Sequence, residues 1–286
     1  MLQEKSTGLS IPEFLKYALQ EDQGDGDHTS LSTIEANAKG KAVVKVKENG
    51  IIAGLVLADQ ILNLVDPETI VKVKVNEGTK VLVGDVVMEI EGSTRSLLRA
   101  ERLLLNCMQR MSGIASLTRK YVEAVEGTST KILDTRKTTP NFRIFEKWAV
   151  QIGGGTNHRF GLYDMILIKD NHVDAAGGIS KAIQKANQYL KETKRDLPIE
   201  IETRDLDEVM EVLKTGGVQR VMLDNFTTDR LKEAVELISG KIITEASGGI
   251  ILENVRNYAL TGVNFISVGA LTHSYKSLDI SMKLVK

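Results

Sequence analysis

Cysteine is nearly absent. Cys107 stands alone in 286 residues, so no intrachain disulfide can form and a reducing compartment is expected. A charge surplus is missing too: 37 Lys and Arg offset 38 Asp and Glu, for a formal charge of -1. That argues against nucleic acid or an anionic membrane surface as partner, since both select a basic excess. No apolar run reaches the ~18 residues of a membrane span. The opening segment, MLQEKSTGLSIPEFLKYAL, carries Glu4, Lys5 and Glu13 and has no apolar core, unlike a secretory signal. Also lacking are a Rossmann or P-loop fingerprint, a Ser/His/Asp set and any Cys/His cluster at metal spacing. A triad hydrolase or a zinc enzyme is therefore unsupported. Core material is ample at 42% hydrophobic, and the length suits one large or two modest domains. Together these features imply a soluble, cytoplasmic protein.

The first part of the chain mixes helix and strand. Ile11, Phe14, Leu15 and Ala18 fall on one helical face, with Ser10, Pro12 and Glu13 as start signals. EDQGDGDHTS follows. It lacks the ligand ladder of a calcium loop and reads as a turn closed by Asx caps. Strands are expected at 42–47, 71–75 and 86–90, with a helix at 55–64. NEGTKVLVGDVVMEIEG has the turns of a biotinyl or lipoyl carrier, but no Met-Lys or Asp-Lys pair supplies the lysine to be modified. Sheet geometry explains it better. Residues 94–126 predict a long helix capped by Ser93 or Thr94. Leu97, Leu98, Leu104, Leu105, Met108, Met111 and Ile114 form its buried stripe, and Gly113 marks a break or a close approach. Arg102 lies among these leucines and reads as a snorkelling surface arginine.

From Lys131 the rhythm changes to short apolar strands alternating with helices. Strands are expected at 131–134, 165–168, 199–203, 220–224, 242–246 and 265–268, and helices at 179–192, 206–215, 228–238 and 252–261. This is an α/β pattern with a parallel sheet. With no Rossmann or P-loop fingerprint, these units suggest a barrel over 113–270. Six strands are fewer than the standard eight, so either two strands are missed or the barrel is smaller and irregular. Residues 271–286 are expected to rejoin a first domain at 1–112.

Function in such barrels gathers where strands end. The first strand delivers Thr135, Arg136 and Lys137, and the second Lys169, Asp170 and Asn171. The next end at Glu202 and Asp224, and the last two at Ser247-Gly248-Gly249 and Val268-Gly269-Ala270. One charged strand end is ordinary, but polar or glycine ends on all six are not explained by folding. Glycines after the last two strands let backbone N–H groups approach a phosphate. Glu202 and Asp224 are acceptors for sugar hydroxyls, or for magnesium directly or through water. The cations match carboxylates or a pyrophosphate. His158 and Arg159 follow a glycine loop and are candidate ligand contacts, whereas His172 reads as a support for its own loop. The ligand is thus expected to be a phosphosugar with an anionic partner.

DTRKTTP, GGGTNHR, ILIKDNH, IEIET, LDN and EASGGI resemble the quinolinate phosphoribosyltransferase family, as do EDQGDGDHTS and AERLLLN nearer the start. The likeness covers nearly the whole chain, and GGGTNHR with IKDNH is its specific core. Trp148 and Asn141 are small departures, away from ligand positions. The resemblance implies a homodimeric glycosyltransferase, α/β in fold class, with an N-terminal α+β sandwich domain and an irregular open α/β barrel of about six βα units. It would join quinolinate to 5-phosphoribosyl 1-pyrophosphate with Mg2+, releasing pyrophosphate and carbon dioxide and forming nicotinate mononucleotide for NAD biosynthesis. By the same resemblance Arg136, His158, Arg159 and Lys169 contact quinolinate carboxylates, and Lys137 binds on the pyrophosphate side. Glu202 and Asp224 face ribose and magnesium, and Ser247, Gly248, Gly249 and Gly269 hold the 5-phosphate. Arg102 enters the partner subunit's site, against its reading as a snorkelling residue. Two alternatives stand beside this: a related phosphoribosyltransferase acting on another base, and a non-catalytic phosphosugar-binding protein.

Overall fold

The fold was analysed in a computed structural model, which describes residues 9–285. The chain forms two compact units, one of residues 1–119, 138–154 and 271–286, the other of residues 120–137 and 155–270.

The first unit opens with a helix at Ile11–Gln23. Ser10 Oγ accepts from Glu13 N, and the Glu13 carboxylate accepts from Ser10 N at 2.8 Å, a reciprocal cap. Asp27 Oδ1 caps the next helix, His28–Thr33, by accepting from Ser30 N, so of EDQGDGDHTS only residues 24–27 form the expected turn, between two helix ends. Strands β1 (Lys39–Val46), β2 (Gly50–Ile51), β3 (Ile70–Val73), β4 (Lys80–Val81) and β5 (Val86–Ser93) follow. Ala42, Val44 and Val46 alternate into the core as period two requires. β2 and β4 pair with each other, and the tip after β4 carries Val83 and Gly84 in place of a modifiable lysine. The helix Leu55–Val65 begins where the Glu77 carboxylate takes the N–H groups of Gly54 and Val56, each at 3.0 Å.

A 31-residue helix, Thr94–Ala124, comes next. Gly113 does not break it. A Cβ there would lie 2.3 Å from the Lys276 carbonyl oxygen, so the glycine permits a close approach.

Residues 131–268 supply β6 (Lys131–Leu133), β7 (Ile166–Ile168), β8 (Ile199–Thr203), β9 (Arg220–Asp224), β10 (Ile243–Ser247) and β11 (Phe265–Ser267). The last strand, β12 (Ile280–Val285), pairs antiparallel with β1 in a sheet ordered β12-β1-β5-β3. Residues 138–154, which sequence alone places in the second domain, cluster with the first unit. Their helix, Arg143–Ile152, brings Phe142 and Phe145 against Phe14, with ring centroids 4.9–5.6 Å apart. Its fully buried Glu146 accepts from Arg110 Nε at 2.9 Å, which neutralises the buried carboxylate.

The second unit is a six-stranded parallel sheet ordered β6-β11-β10-β9-β8-β7. Each strand neighbours its chain successor except at one seam. The first and last strands, β6 and β11, are bonded, and the opening falls between β6 and β7. An open barrel of six βα units has this order. Its seam lies where the intervening chain leaves for the first unit, and a single bridge from Leu133 to Thr156 occupies part of the free edge of β6.

Two helices depart from expectation. Residues 252–261 form only the short helix Val255–Ala259, because Asn254 Oδ1 turns back to the Ile251 amide. Asp170–Ala176 is helical immediately after β7, which puts Lys169 at a helix start.

Candidate active site

The ends of β6 to β11 bring together Thr135, Arg136, Lys137, Arg159, Lys169, Glu202, Asp224 and the Ser247 turn, all within the second unit. At the end of β6, Thr135 Oγ1 accepts from Lys137 N at 3.1 Å, which tightens the turn under the two cations. Lys137 is exposed and Arg136 half-buried.

Arg159 is 8% exposed, and its Nη1 donates to the Met165 carbonyl at 3.2 Å. Burial lowers its pKa, and the Arg136 charge lowers it further. Two guanidinium groups held close enough to repel each other form a receptor for an anion. The loop under Arg159 is stitched by Asp164, whose carboxylate accepts from Phe160 N and Gly161 N at 2.7 and 2.9 Å.

Lys169 Nζ is 3.6 Å from Glu202 Oε2 and is half-exposed. His172 Nδ1 accepts from the Lys169 amide at 3.0 Å, so His172 supports the Lys169 loop. Glu202 at the end of β8 is 8% exposed. Burial raises its pKa; Lys169 opposes the rise, while Asp224 and Asp170 add to it. Three acidic groups facing one lysine leave an uncompensated negative charge at the rim. Mg2+ takes one or two carboxylates plus water and phosphate oxygens, and Glu202 and Asp224 fit that donor set.

After β10 the chain turns on two glycines with left-handed φ, +92° at Gly248 and +61° at Gly249. A Cβ on Gly248 would lie 2.2 Å from Asn225 Oδ1, so only glycine fits. A Cβ on Gly249 would meet nothing within 4 Å, and this bend faces open space. Asn225, itself left-handed at φ +56°, donates from its side chain to Asp224 Oδ2 at 2.6 Å and from its backbone to Ser247 O at 2.8 Å. Asn225 therefore joins the acidic and glycine corners, a role its sequence position only hints at. Gly269 and Ala270 follow β11, and Ala270 starts the short helix Ala270–His273.

One expected contact is corrected. Val268 is 2% exposed, and its N–H donates to Leu133 O at 2.9 Å, so that amide serves the sheet and not a phosphate. His158, expected to meet a substrate carboxylate, also has two protein carboxylates beside it. Its Nε2 is 3.0 Å from Glu200 Oε2 and 3.4 Å from Glu245 Oε2. Its Nδ1 accepts from the Arg159 amide at 2.7 Å. Burial pushes the ring pKa down, while the two carboxylates pull it up. The Arg159 contact acts in the opposite sense, because it needs the Nδ1 lone pair. A backbone N–H facing a protonated nitrogen at 2.7 Å would set donor against donor, so the ring carries its proton on Nε2. His158, Glu200 and Glu245 also lie at metal-ligand spacing, a proximity invisible in the linear sequence.

Arg102 is on the first unit, in the helix Thr94–Ala124. Its side chain is exposed and lines a cleft of about 840 Å3 with Tyr17, Glu21, Asp22 and Arg110. Among the described residues, no helix is long and apolar enough to cross a membrane.

Residues 27–112 match the profile described as Quinolinate phosphoribosyl transferase, N-terminal domain, and residues 114–283 match the corresponding C-terminal domain. A Nicotiana tabacum protein named Quinolinate phosphoribosyltransferase [decarboxylating] 2b, mitochondrial, is 48% identical over 96% of this chain and 82% of its own. The chloroplastic nicotinate-nucleotide pyrophosphorylase [carboxylating] of Arabidopsis thaliana is 46% identical, over 94% and 81%. The crystal structure of NadC from Streptococcus pyogenes superposes with a TM-score of 0.92 at 40% identity, covering 98% of this chain and 99% of that one.

Proposed function

The chain belongs to the quinolinate phosphoribosyltransferase family, and from that premise we propose that it transfers phosphoribosyl from 5-phosphoribosyl 1-pyrophosphate to quinolinate, with decarboxylation, in NAD biosynthesis. The observation that carries this is the pairing, at one barrel mouth, of a mutually repelling Arg136–Arg159 couple with the acidic Glu202–Asp224 rim and the Gly248–Gly249 bend. The first suits a diacid, the second a pentose, the third a phosphate.

Chemistry follows from that division. Arg136, Arg159 and Lys169 hold the two carboxylates of the pyridine and aim its nitrogen at ribose C1. As the C1–O bond to pyrophosphate breaks, cationic character builds on C1, and the carboxylates of Glu202 and Asp224 stabilise it. Lys137 neutralises charge gathering on the departing pyrophosphate. Mg2+, held by Glu202 and Asp224 directly or through water, supplies further neutralisation of that group when bound. Ser247, Gly248, Gly249 and Gly269 anchor the 5-phosphate, with Thr135 and Ala270 at the margins of the site. Ribosylation leaves the ring nitrogen positive. The C2 carboxylate then leaves as carbon dioxide, its bonding electrons remain at C2 beside the cationic nitrogen, and a proton replaces it. The protein orients the C2 carboxylate and supplies no separate electron sink.

The working form is proposed as a homodimer in which Arg102 reaches the partner's site; its exposure on the first unit supports this. A cytoplasmic location is proposed from the sequence alone, since plant relatives carry mitochondrial or chloroplastic names.

The test is quinolinate-dependent release of pyrophosphate and carbon dioxide in the presence of Mg2+, with nicotinate as comparison base. Turnover with quinolinate and little with nicotinate is expected. Turnover only with another base would favour the related phosphoribosyltransferase, and tight phosphosugar binding without product would favour the non-catalytic alternative.

A further inference from the structure

Period two along a strand sets a second layer beneath the candidate site. Glu202 ends the inward row of β8, and two residues below it lies Glu200, fully buried. Ser247 ends β10, with Glu245 two below, also fully buried. Asp224 ends β9, with Arg220 four below. Arg220 Nη1 donates to Glu245 Oε2 at 2.9 Å and lies 3.9 Å from Glu200 Oε2, and its guanidinium stacks 4.7 Å from the Phe265 ring centroid. His158 closes the group from the segment between the helix Arg143–Ile152 and β7. Barrel interiors are usually filled by branched aliphatic side chains, and buried ion clusters seldom add stability over them. An ionic layer at this depth therefore calls for a purpose beyond packing.

The bonds show what the layer holds. Asp134 Oδ1, fully buried at the end of β6, accepts from the His158 amide at 2.9 Å. His158 Nδ1 accepts from the Arg159 amide, and Nε2 faces the two glutamates. The imidazole is thus held at Nδ1 by the amide of the arginine that projects into the site, with the two carboxylates within 3.4 Å of Nε2.

We propose that Glu200, Glu245 and Arg220 are positioning residues for base recognition: they hold His158 as the Nε2–H tautomer, and its Nδ1 fixes the backbone of Arg159 under the quinolinate carboxylate. None of the three touches substrate. The proposal rests on the function proposed above for the rim residues. A metal ion at His158, Glu200 and Glu245 is the rival use of the same atoms. It would need Nε2 without a proton, and Arg220 already neutralises Glu245.

Three variants test it: Glu200→Gln, Glu200→Leu and Glu245→Gln. Loss of Arg159 placement is a binding defect for one substrate, so KM for quinolinate should rise roughly ten- to hundredfold, more for Leu than for Gln at position 200. KM for the phosphosugar and kcat should stay within about threefold, while the melting temperature falls somewhat, because each variant truncates one member of a buried ion cluster. Equal losses for both substrates or no change in KM would overturn the proposal. A second readout needs no activity. In protein labelled with 15N-histidine at pH 7.5, His158, assigned with His158→Gln, should show a protonated Nε2 and an unprotonated Nδ1. An imidazolium, an Nδ1–H tautomer or a stoichiometric bound metal in the purified protein would also overturn it. If wild-type protein makes no nicotinate mononucleotide, the functional proposal fails, while the nitrogen shifts still decide the clamp.

Discussion

Lys137 and Lys169 are placed differently although both are exposed cations. Lys137 rides a turn tightened by Thr135, and Lys169 starts a helix and leans on Glu202. Replacing either with Ala removes a charge from solvent-facing positions and leaves the core intact. Each change should cut kcat/KM with quinolinate by roughly a hundredfold or more, with an unchanged thermal melt. Near-normal kcat/KM in either variant would refute the assigned role. Cys107 offers an independent check on packing. Its thiol is 2% exposed, and burial drives its pKa up to about 12 against a small opposing pull from Arg110. Iodoacetamide at pH 8 should therefore leave the native protein unmodified, by intact mass, for as long as it takes to label the denatured chain fully. The cations of the site were legible in the sequence because they stand where apolar strands stop. Glu200 and Glu245 were not. In IEIET and ITEAS they look like ordinary alternation, and only the strand partners show that they meet.

The long helix Thr94–Ala124 could be drawn from its leucine and methionine stripe, and Leu97, Leu104, Met108, Met111 and Ile114 are all fully buried. What Gly113 does within it could not, because its neighbour Lys276 is far away in sequence. Gly113→Ala adds helix propensity but forces a Cβ to within 2.3 Å of a carbonyl oxygen and 3.0 Å of Ser277 Cα. Chemical denaturation should show a net loss of about 1–3 kcal/mol, where an exposed mid-helix glycine would show a gain. Two of the helices that the sequence did not announce have different causes. Arg143–Ile152 takes its stability from Phe14 and Arg110, which are remote in sequence, and lacks a side-chain N-cap. Asp170–Ala176 is short, and its start is held by His172 and not by a standard capping residue.

For the whole molecule, the proposal that Arg102 serves the partner subunit has a direct test. Arg102→Ala and Lys169→Ala homodimers should each be nearly inactive. Mixed and re-equilibrated, they should recover activity, because one of the two sites in each heterodimer then carries both residues. No recovery, with heterodimers verified by native mass spectrometry, would refute a shared site. The open seam of the barrel belongs to this scale as well. β6 and β7 are successive in the chain yet unbonded, since the segment between them is committed to the first unit. A count of βα units reveals six strands but not which pair stays apart.

Local chemistry by itself determined the alternating βα pattern, the glycine bend after Ser247 and the row of charged strand ends, because each depends on side-chain period or backbone freedom within a few residues. Only tertiary structure decided that His158 lies beside two glutamates, that Val268 donates to the sheet, and that residues 138–154 cluster with the first unit. Those outcomes turn on which distant groups become neighbours, and a buried charge or N–H must pair with whatever the fold brings to it.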